Sequence, residues 1–456
     1  MTTQKEKTAA LVVATLASFL TPFLGAAMNV ALPVIGKDLE ADAILLNLTA
    51  TIYLLATAVF LLPFGRMADL YGRKKIFNYG LMVFTISTAG AAIAPGIYVL
   101  ILFRVFQGIG SAMIFGTGVA IISSVFPPGE RGKALGINVA AVYTGLSVGP
   151  FAGGLLTQYL GWRSIFWSLV PIGILAIIMV HWKLKGEWLG SSKARFDYRG
   201  ALLYMLTLAL LMTGLSLVPK PSGYPFIAFS IISFVLFVRT ERRLEDPLME
   251  IDLYRLNRVF AFSNLAALIN YSATFGVGFL LSFYFQYIKG MDPAEAGMVL
   301  VIQPVIMAVF SPVTGRLSDR IQPQVLASAG MTFTTIGLVM LSFAGAQTSM
   351  EYFYAVLGLM GVGFALFSSP NTNAIMSSVQ PRYYGVASGA VGTMRMIGQM
   401  LSMGVVLILF SVLIGKTEIT PRVYEPFLQS MRISFILFSL FCFFGIFASI
   451  ARGKVR

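Results

Sequence analysis

Long apolar runs constrain this chain more than any other feature. Of its 456 residues, 57% are apolar and 11% are charged, whereas a soluble domain carries about 25% charged residues. A helix that crosses a bilayer needs about 20 mostly apolar residues. Runs of this kind, bounded by charge, proline or glycine, predict fourteen spans in an all-α integral membrane protein. They lie at 10–35, 45–64, 76–94, 97–125, 134–158, 164–182, 199–218, 224–238, 259–286, 295–314, 324–345, 351–372, 385–413 and 432–450.

The distribution of basic residues predicts how the chain is oriented. With the N-terminus inside, 24 of the 33 Lys and Arg residues fall in cytoplasmic segments and 7 on the opposite side. Lys and Arg in short loops resist translocation, so both termini are predicted to be cytoplasmic and the lipid bilayer to surround the helices. The net charge of +14 then reflects topology, and no nucleic-acid partner is expected. With the single cysteine, Cys442, no thiolate metal site can form, and we predict neither a metal nor a cofactor.

An internal repeat predicts two related halves. The string from Gly65 to Asp69 recurs from Gly315 to Asp319, and Ser123-Ser124-Val125 recurs at 377–379. We therefore predict two pseudo-symmetric six-helix bundles, residues 1–183 and 259–456, separated by an inserted two-helix segment with cytoplasmic linkers, residues 184–258. Repeats of this kind are common in secondary transporters, whose substrate site lies between the halves.

A turn motif follows the second span. Gly65 and Gly72 allow tight backbone geometry around Asp69, and Asp69 can pair with an arginine such as Arg73. The alternative is a plain positive-inside anchor. That alternative explains the basic residues but not Asp69, whose position in the repeat is matched by Asp319.

Span four contains a charge and an amide on one face. An arginine near the bilayer centre costs about 2.5–3.5 kcal/mol on insertion scales, so Arg104 is expected to face the protein interior. Gln107 lies one turn away and can share its hydrogen bonds. The alternative is an arginine that reaches the interface from a shorter span.

Span five carries a stripe of glycines. Gly145, Gly149 and Gly153 are spaced by four residues and allow another helix to pack closely, while Pro150 weakens the backbone ladder. We expect a rocking interface there. The same string fits the Gly-x-Ser-x-Gly elbow of hydrolases, but that motif needs a preceding strand and a histidine partner. The one histidine, His181, is predicted at the end of span six, so we do not expect an enzyme.

Together these strings resemble the major facilitator superfamily over the whole chain. Fourteen spans, the string Asn29-Val30-Ala31-Leu32-Pro33 and the segment 247–260 are similar to its 14-span drug:proton antiporters, which are multidrug exporters of the cell (inner) membrane. The resemblance implies roles for three groups of residues. They are a conformational latch at Gly65, Asp69, Gly72, Arg73 and Asp319, coupling residues Arg104 and Gln107, and an antiporter hinge at Gly145, Gly149, Pro150, Gly153 and Gly154.

Two positions depart from the family pattern. Leu70 stands where the loop signature usually has a basic residue, and Leu24 stands where the signature of the first span has an aspartate. No predicted span has an acidic residue in its middle; Arg104 and Arg395 are there instead. Since two arginines without a carboxylate repel cations in a low dielectric, we expect neutral or anionic amphiphiles as substrates. Arg395 could equally bond to helix ends between the halves.

Polar and aromatic residues within the spans are candidates for the substrate cavity, because an unpaired amide facing lipid is costly. They are Asn29, Tyr53, Tyr143, Asn270, Tyr271, Gln303, Asn371, Asn373 and Arg395.

The sequence thus predicts a secondary active transporter that exports small amphipathic compounds by alternating access, with a proton as the coupling ion. It has no Walker P-loop, which argues against ATP as the energy source. Three alternatives stay open: an uncoupled lipid or metabolite exporter, an intramembrane enzyme, and a sensor that does not transport.

Overall fold

The computed structural model describes residues 4–184, 186–189, 196–244, 246–318, 320–380 and 383–453. All regular structure in these ranges is helical. A π-helical turn, Tyr284–Ile288, continues α10, and a short 3-10 turn, Pro421–Val423, precedes α16. The α-helices are α1 (Gln4–Asp38), α2 (Ala43–Tyr71), α3 (Arg73–Ala92), α4 (Ile97–Val125), α5 (Pro128–Leu160), α6 (Arg163–Lys183), α7 (Tyr198–Leu217), α8 (Gly223–Glu241), α9 (Ile251–Leu256), α10 (Arg258–Phe283), α11 (Pro293–Leu300), α12 (Ile302–Leu317), α13 (Pro323–Ser342), α14 (Met350–Ser377), α15 (Tyr384–Leu413) and α16 (Tyr424–Ala451).

The predicted membrane spans correspond to these helices, with one difference in number. Within the described ranges, thirteen helical segments are long and apolar enough to cross a membrane, with α11 and α12 forming one of them. The run at 76–94 forms α3, which is 20 residues long but begins with three basic residues and is less apolar. The all-helical membrane fold is confirmed, whereas the count of fourteen spans is not.

Short segments join successive long helices at the two ends of the bundle. We call the end that contains the turn between α2 and α3 the Arg73 end, and the end that contains the turn between α1 and α2 the Asp38 end. The chain leaves α1 at Asp38 and re-enters at Ala43, where the Asp42 carboxylate caps α2 by accepting from the Leu45 backbone N–H at 2.7 Å. Such a cap satisfies a backbone donor that would otherwise lack a partner.

Helix pairs in the first part of the chain recur in the second part. The contacts of α1 with α5 and α6, of α4 with α2 and α3, and of α3 with α6 reappear as contacts of α10 with α15 and α16, of α14 with α12 and α13, and of α13 with α16. Helices α7 and α8 pack on each other, and α7 also contacts α2 and α15. The limits proposed for the two bundles at 183 and 259 stay predictions.

The two groups of helices meet along α2 with α15 and along α5 with α11 and α12. Hydrogen bonds between them concentrate at the Asp38 end. Gln286 Nε2 donates to the Val30 carbonyl at 2.8 Å, and the Tyr287 hydroxyl donates to the Pro33 carbonyl at 3.2 Å. Both donors lie in the π-helical turn after α10, and such turns often mark functional positions. The Asp38 end is therefore closed in this structure.

Candidate functional site

Side chains from five helices converge between the two groups, away from both ends; we call them the central cluster. The central cluster consists of Tyr53 (α2), Phe115 (α4), Tyr143 (α5), Tyr271 (α10) and Arg395 (α15). The Arg395 guanidinium lies 5.4 Å from the centroid of the Phe115 ring. It also interacts electrostatically with the hydroxyl groups of Tyr53 and Tyr143. The arginine thus faces aromatic rings and hydroxyls, a combination that can hold an anionic or conjugated molecule.

The central cluster extends to α14, and Asn270 precedes one of its members, Tyr271, in α10. The Tyr143 hydroxyl is hydrogen-bonded to Ser368 Oγ at 2.7 Å, and the Tyr271 ring packs edge-on against Phe364 at 5.7 Å. Asn270 is fully buried, yet neither atom of its side-chain amide has a hydrogen-bond partner among the described residues. Because a buried amide without a partner is costly, Asn270 is suited to bond to a molecule that enters the bundle.

Two further predicted cavity residues lie at other places between the helices. Asn29 is half-buried in α1, and its amide nitrogen approaches Gly278 of α10. Gln303 is half-buried in the first turn of α12. Both belong to segments that approach the opposite group of helices.

Asn371 and Asn373 lie in the last turns of α14 at the Arg73 end, apart from the central cluster. Asn371 Oδ1 accepts a hydrogen bond from Arg452 Nη1 at 2.9 Å, and Asn373 donates to Ser318 Oγ at 2.9 Å. Their bonds join α14 to α16 and α12, and a position in the substrate cavity stays a prediction for both.

Arg452 is a buried cation that sequence reasoning missed, because it follows the last span and looks like a cytoplasmic anchor. It is 1% exposed and donates to Ser263 Oγ, to Asn371 and to the carbonyl of Ser449. Burial lowers the pKa of the Arg452 guanidinium to about 10, which leaves it charged at neutral pH. Arg452 therefore joins α10, α14 and α16 through polar oxygens.

Arg104 occupies the interior of the first helix group, as predicted. It is 1% exposed, its Nε donates to the Thr49 carbonyl at 3.2 Å, and its Nη1 donates to Gln107 Oε1 at 3.0 Å. Its guanidinium lies 4.2 Å from the centroid of the Tyr53 ring. Through Tyr53, the arginine touches the central cluster, and Gln107 extends the network to Thr88 of α3.

The turn motif after α2 forms a compact ion-pair network. The Asp69 carboxylate accepts from Arg73 Nε at 2.8 Å and from Nη2 at 2.6 Å, and Arg73 also donates to Ser124 Oγ at 2.6 Å. Gly72 has φ +116°, a conformation that favours glycine. Gly65 lies against Gly116 of α4. Asp319, the matching latch residue of the second half, lies outside the described residues.

The segment after α6 docks on this turn, which sequence reasoning also missed. Glu187 Oε1 accepts from the Lys74 backbone N–H at 2.7 Å, and the Arg73 backbone N–H donates to the Trp188 carbonyl at 3.0 Å. The glutamate thereby caps the N-terminus of α3, where a negative charge is favourable. In the sequence, this contact is marked only by an acidic residue beside a tryptophan in a predicted linker. That pattern does not identify the helix to which the segment binds.

The glycines of α5 serve two different interfaces. A Cβ added at Gly145, Gly149 or Gly153 would meet α1 atoms at 2.6–2.7 Å, so the predicted stripe packs on a helix of its own group. The contact with the other group uses a neighbouring face of α5. Gly154 lies against the Pro293 carbonyl of α11, and Gly297 of α11 lies against the Pro150 carbonyl.

Three carboxylates at the Asp38 end, those of Asp38, Asp292 and Glu295, are engaged in hydrogen bonds. Asp38 accepts hydrogen bonds from Trp162 Nε1 at 2.9 Å and from Arg163 Nη1 at 2.7 Å. Asp292 and Glu295 form a reciprocal capping box at the start of α11. These acids stabilise turns and helix ends and lie apart from the central cluster.

Comparison with known proteins agrees with this architecture. The family model of the Major Facilitator Superfamily matches residues 14–403. The riboflavin transporter RibZ of Clostridioides difficile is 30% identical over 86% of this chain and 85% of its own. The multidrug resistance protein Stp of Mycobacterium tuberculosis is 31% identical over 83% of this chain and 71% of its own. The solved structure of the human organic anion transporter MFSD10 superposes with a TM-score of 0.67 at 15% identity, covering 97% of this chain and 99% of that one. The chain therefore belongs to the major facilitator superfamily and is a transporter, not an enzyme.

Proposed function

We propose that this transporter exports small amphipathic, drug-like compounds from the cell by alternating access, in exchange for protons. Residues 1–183 and 259–456 are its two moving bundles, and residues 184–258 are inserted between them. It works in the cell (inner) membrane with both termini in the cytoplasm. Its Asp69–Arg73 turn acts as the latch, the glycines and Pro150 of α5 act as the hinge, and the Gly154–Gly297 contact closes the Asp38 end.

The orientation of Arg395 is the observation that carries the substrate class. Its Nε is buried and donates to no acceptor among the described residues, and its guanidinium faces Phe115, Tyr53 and Tyr143. A cation in low dielectric attracts anions and repels other cations. The aromatic rings add apolar surface for a conjugated molecule. We therefore propose neutral or anionic conjugated amphiphiles as substrates.

The named relatives support transport of small molecules of this kind. RibZ is named for riboflavin, a neutral conjugated ring system with a polar chain, and Stp for multidrug resistance. Riboflavin is therefore a sensible neutral test compound. An uncoupled metabolite transporter is the second candidate, because no predicted span of the chain carries an acidic residue in its middle.

The test uses inverted membrane vesicles with an acidified lumen and a pH-sensitive dye. Riboflavin, an anionic conjugated compound and a quaternary ammonium compound of similar size are added in turn. We expect proton release with the first two and none with the third. A response to the quaternary ammonium compound alone would overturn the proposed substrate class.

Arg395→Gln should reduce the response to the anionic compound at least about tenfold, which corresponds to about 1.4 kcal/mol of lost interaction. Arg422→Gln is the matched control, since Arg422 is exposed near the start of α16. Transport of the substrates without proton release would instead favour the uncoupled exporter. An unchanged Arg395→Gln response would remove Arg395 from recognition.

A further inference from the structure

Two carboxyl groups face each other where the inserted helices begin and end. Asp197 precedes α7, and its Oδ1 accepts from the Gly200 backbone N–H at 2.9 Å. Glu241 ends α8, and its Oε2 accepts from the Met249 backbone N–H at 2.9 Å. Each carboxyl thus uses one oxygen to hold a backbone donor, at the start of α7 and in the linker toward α9.

The two remaining oxygens point at each other. A Cβ added at Gly200 would contact Asp197 Oδ2 and Glu241 Oε1 at the same time, and the two side chains are within hydrogen-bond distance. Both oxygens are buried, and neither receives a hydrogen bond from another described residue. Glu241 is only 2% exposed. Two ionised carboxylates in this arrangement repel each other, whereas one proton between the oxygens makes a hydrogen bond that satisfies both.

Among the described residues, neither Asp197 nor Glu241 forms an ion pair with a basic side chain. Arg66 of α2 forms an ion pair with Asp246 in the linker after α8, with 3.3 Å between Arg66 Nη2 and Asp246 Oδ1, although this nitrogen makes no hydrogen bond among the described residues. Tyr204 of α7 donates its hydroxyl to the Ala58 carbonyl. Burial raises the pKa of Tyr254 on α9 well above its ordinary value, so this phenol stays neutral. Among the side chains described, Asp197 is the one with which Glu241 interacts electrostatically.

We propose that Asp197 and Glu241 form a proton-binding site that senses pH at the Arg73 end. The proton arrives from solvent at that end, is shared between Asp197 Oδ2 and Glu241 Oε1, and returns to the same side. It is therefore distinct from a proton carried across the membrane. When the site is occupied, α7, α8 and the linker toward α9 are held together as seen here; when it is empty, repulsion separates them.

The position of the site explains why its occupancy affects transport. Helix α7 contacts α2 and α15, the pair along which the two groups of helices meet, and the linker held by Glu241 leads to α10. The paired geometry accompanies the closed Asp38 end. Loss of the proton should therefore change how readily the bundles exchange conformations. The effect of the site on transport rests on the proposed transport function, whereas the binding of a proton by Asp197 and Glu241 does not.

Infrared titration of the purified protein in lipid tests binding directly. The wild type should show a protonated-carboxyl band that disappears as the pH is raised, and Glu241→Gln and Asp197→Asn should both lack it. Asp246→Asn, a change in the same linker, is the matched control and should keep the band. If either Glu241→Gln or Asp197→Asn keeps the wild-type band, the site is refuted. A band that responds to sodium at constant pH would also refute it, because a metal cation would then occupy the pair.

Transport in proteoliposomes tests the consequence. With substrate counterflow measured at equal pH on both sides, so that no proton gradient drives transport, the wild-type rate should change at least about threefold between pH 6 and pH 8, as expected for titration of a coupled pair. Glu241→Gln should be insensitive to this pH change while it still transports, since its amide N–H can replace the shared proton. A Glu241→Gln profile that matches the wild type would overturn the sensor. A wild type that transports none of the compounds refutes the proposed function, and the infrared result then stands separately.

Discussion

Because α5 and α11 lie so close together, replacing a glycine at their contact with alanine should open the Asp38 end of the bundle. Gly154 and Gly297 each lie against a backbone carbonyl of the other helix, those of Pro293 and Pro150. A Cβ at either glycine overlaps the carbonyl oxygen, and backbone atoms cannot rotate away as a flexible side chain can. Gly154→Ala and Gly297→Ala should therefore force the two helices apart.

The size of the effect follows from the overlap. Ordinary contact of a Cβ begins at 3.4 Å, and the added methyl groups would lie about 1 Å inside that limit. Overpacking of this kind costs about 1–3 kcal/mol. The methyl group meets no such obstacle once α5 and α11 have separated, so the cost falls on the closed conformation alone. The closed population should then decrease about 5- to 150-fold relative to the open one.

Electron spin resonance distance measurements between labels at Tyr159 and Met298 report the separation of α5 from α11. Both residues are exposed, and Cys442 is replaced by serine so that only the introduced cysteines react. Gly136→Ala is the matched control, because it lies on α5 with no atom within 4 Å of the new methyl group. The reasoning is refuted if Gly154→Ala keeps the short-distance population of the wild type.

Three further predictions concern two buried arginines and one strained glycine. Arg104→Ala should abolish uphill transport while the protein still inserts, because the desolvated contact with Tyr53 alone is worth about 2 kcal/mol; uphill flux and membrane yield decide this. Gly72→Ala should lower the midpoint of thermal unfolding, since φ +116° costs an alanine about 1–3 kcal/mol. Gly96→Ala should leave the midpoint unchanged, because no atom lies within 4 Å of its new methyl group. Arg452→Ala should also lower it, by leaving Asn371 Oδ1 without a donor at a cost of about 1–3 kcal/mol; a midpoint equal to the wild type would exclude this role.

The helices could be predicted from the sequence because lipid leaves the backbone no alternative. A segment without access to water must satisfy its own N–H and C=O groups, so every long apolar run is a helix. The same reasoning placed Arg104 inside the bundle, where it lies 1% exposed. Composition was a poorer guide to α3, whose basic first turn and polar face make it less apolar than the other long helices, although it is 20 residues long.

Contacts between distant segments lay beyond the sequence pattern. The glycine stripe indicated close packing but not its partner, and the structure shows α1 at Gly153 and α11 at the adjacent Gly154. The spacing of glycines describes one helix at a time. It therefore cannot show that two adjacent glycines on different faces contact different helices. Arg452 was missed for a related reason, because its partners on α10 and α14 are distant in the chain.

Asp197 and Glu241 show where this limit matters most for function. In sequence, each is an acidic residue at a helix boundary, where a cap or a solvated charge is the ordinary interpretation. Only the antiparallel packing of α7 on α8 brings the start of one helix to the end of the other. A carboxylate at the centre of a span is therefore not the only arrangement that can bind a proton in such a bundle. In a bundle of this kind, two carboxylates at helix ends can form one ionisable site. This happens when a backbone N–H binds one oxygen of each carboxylate and helix packing brings the other two oxygens together.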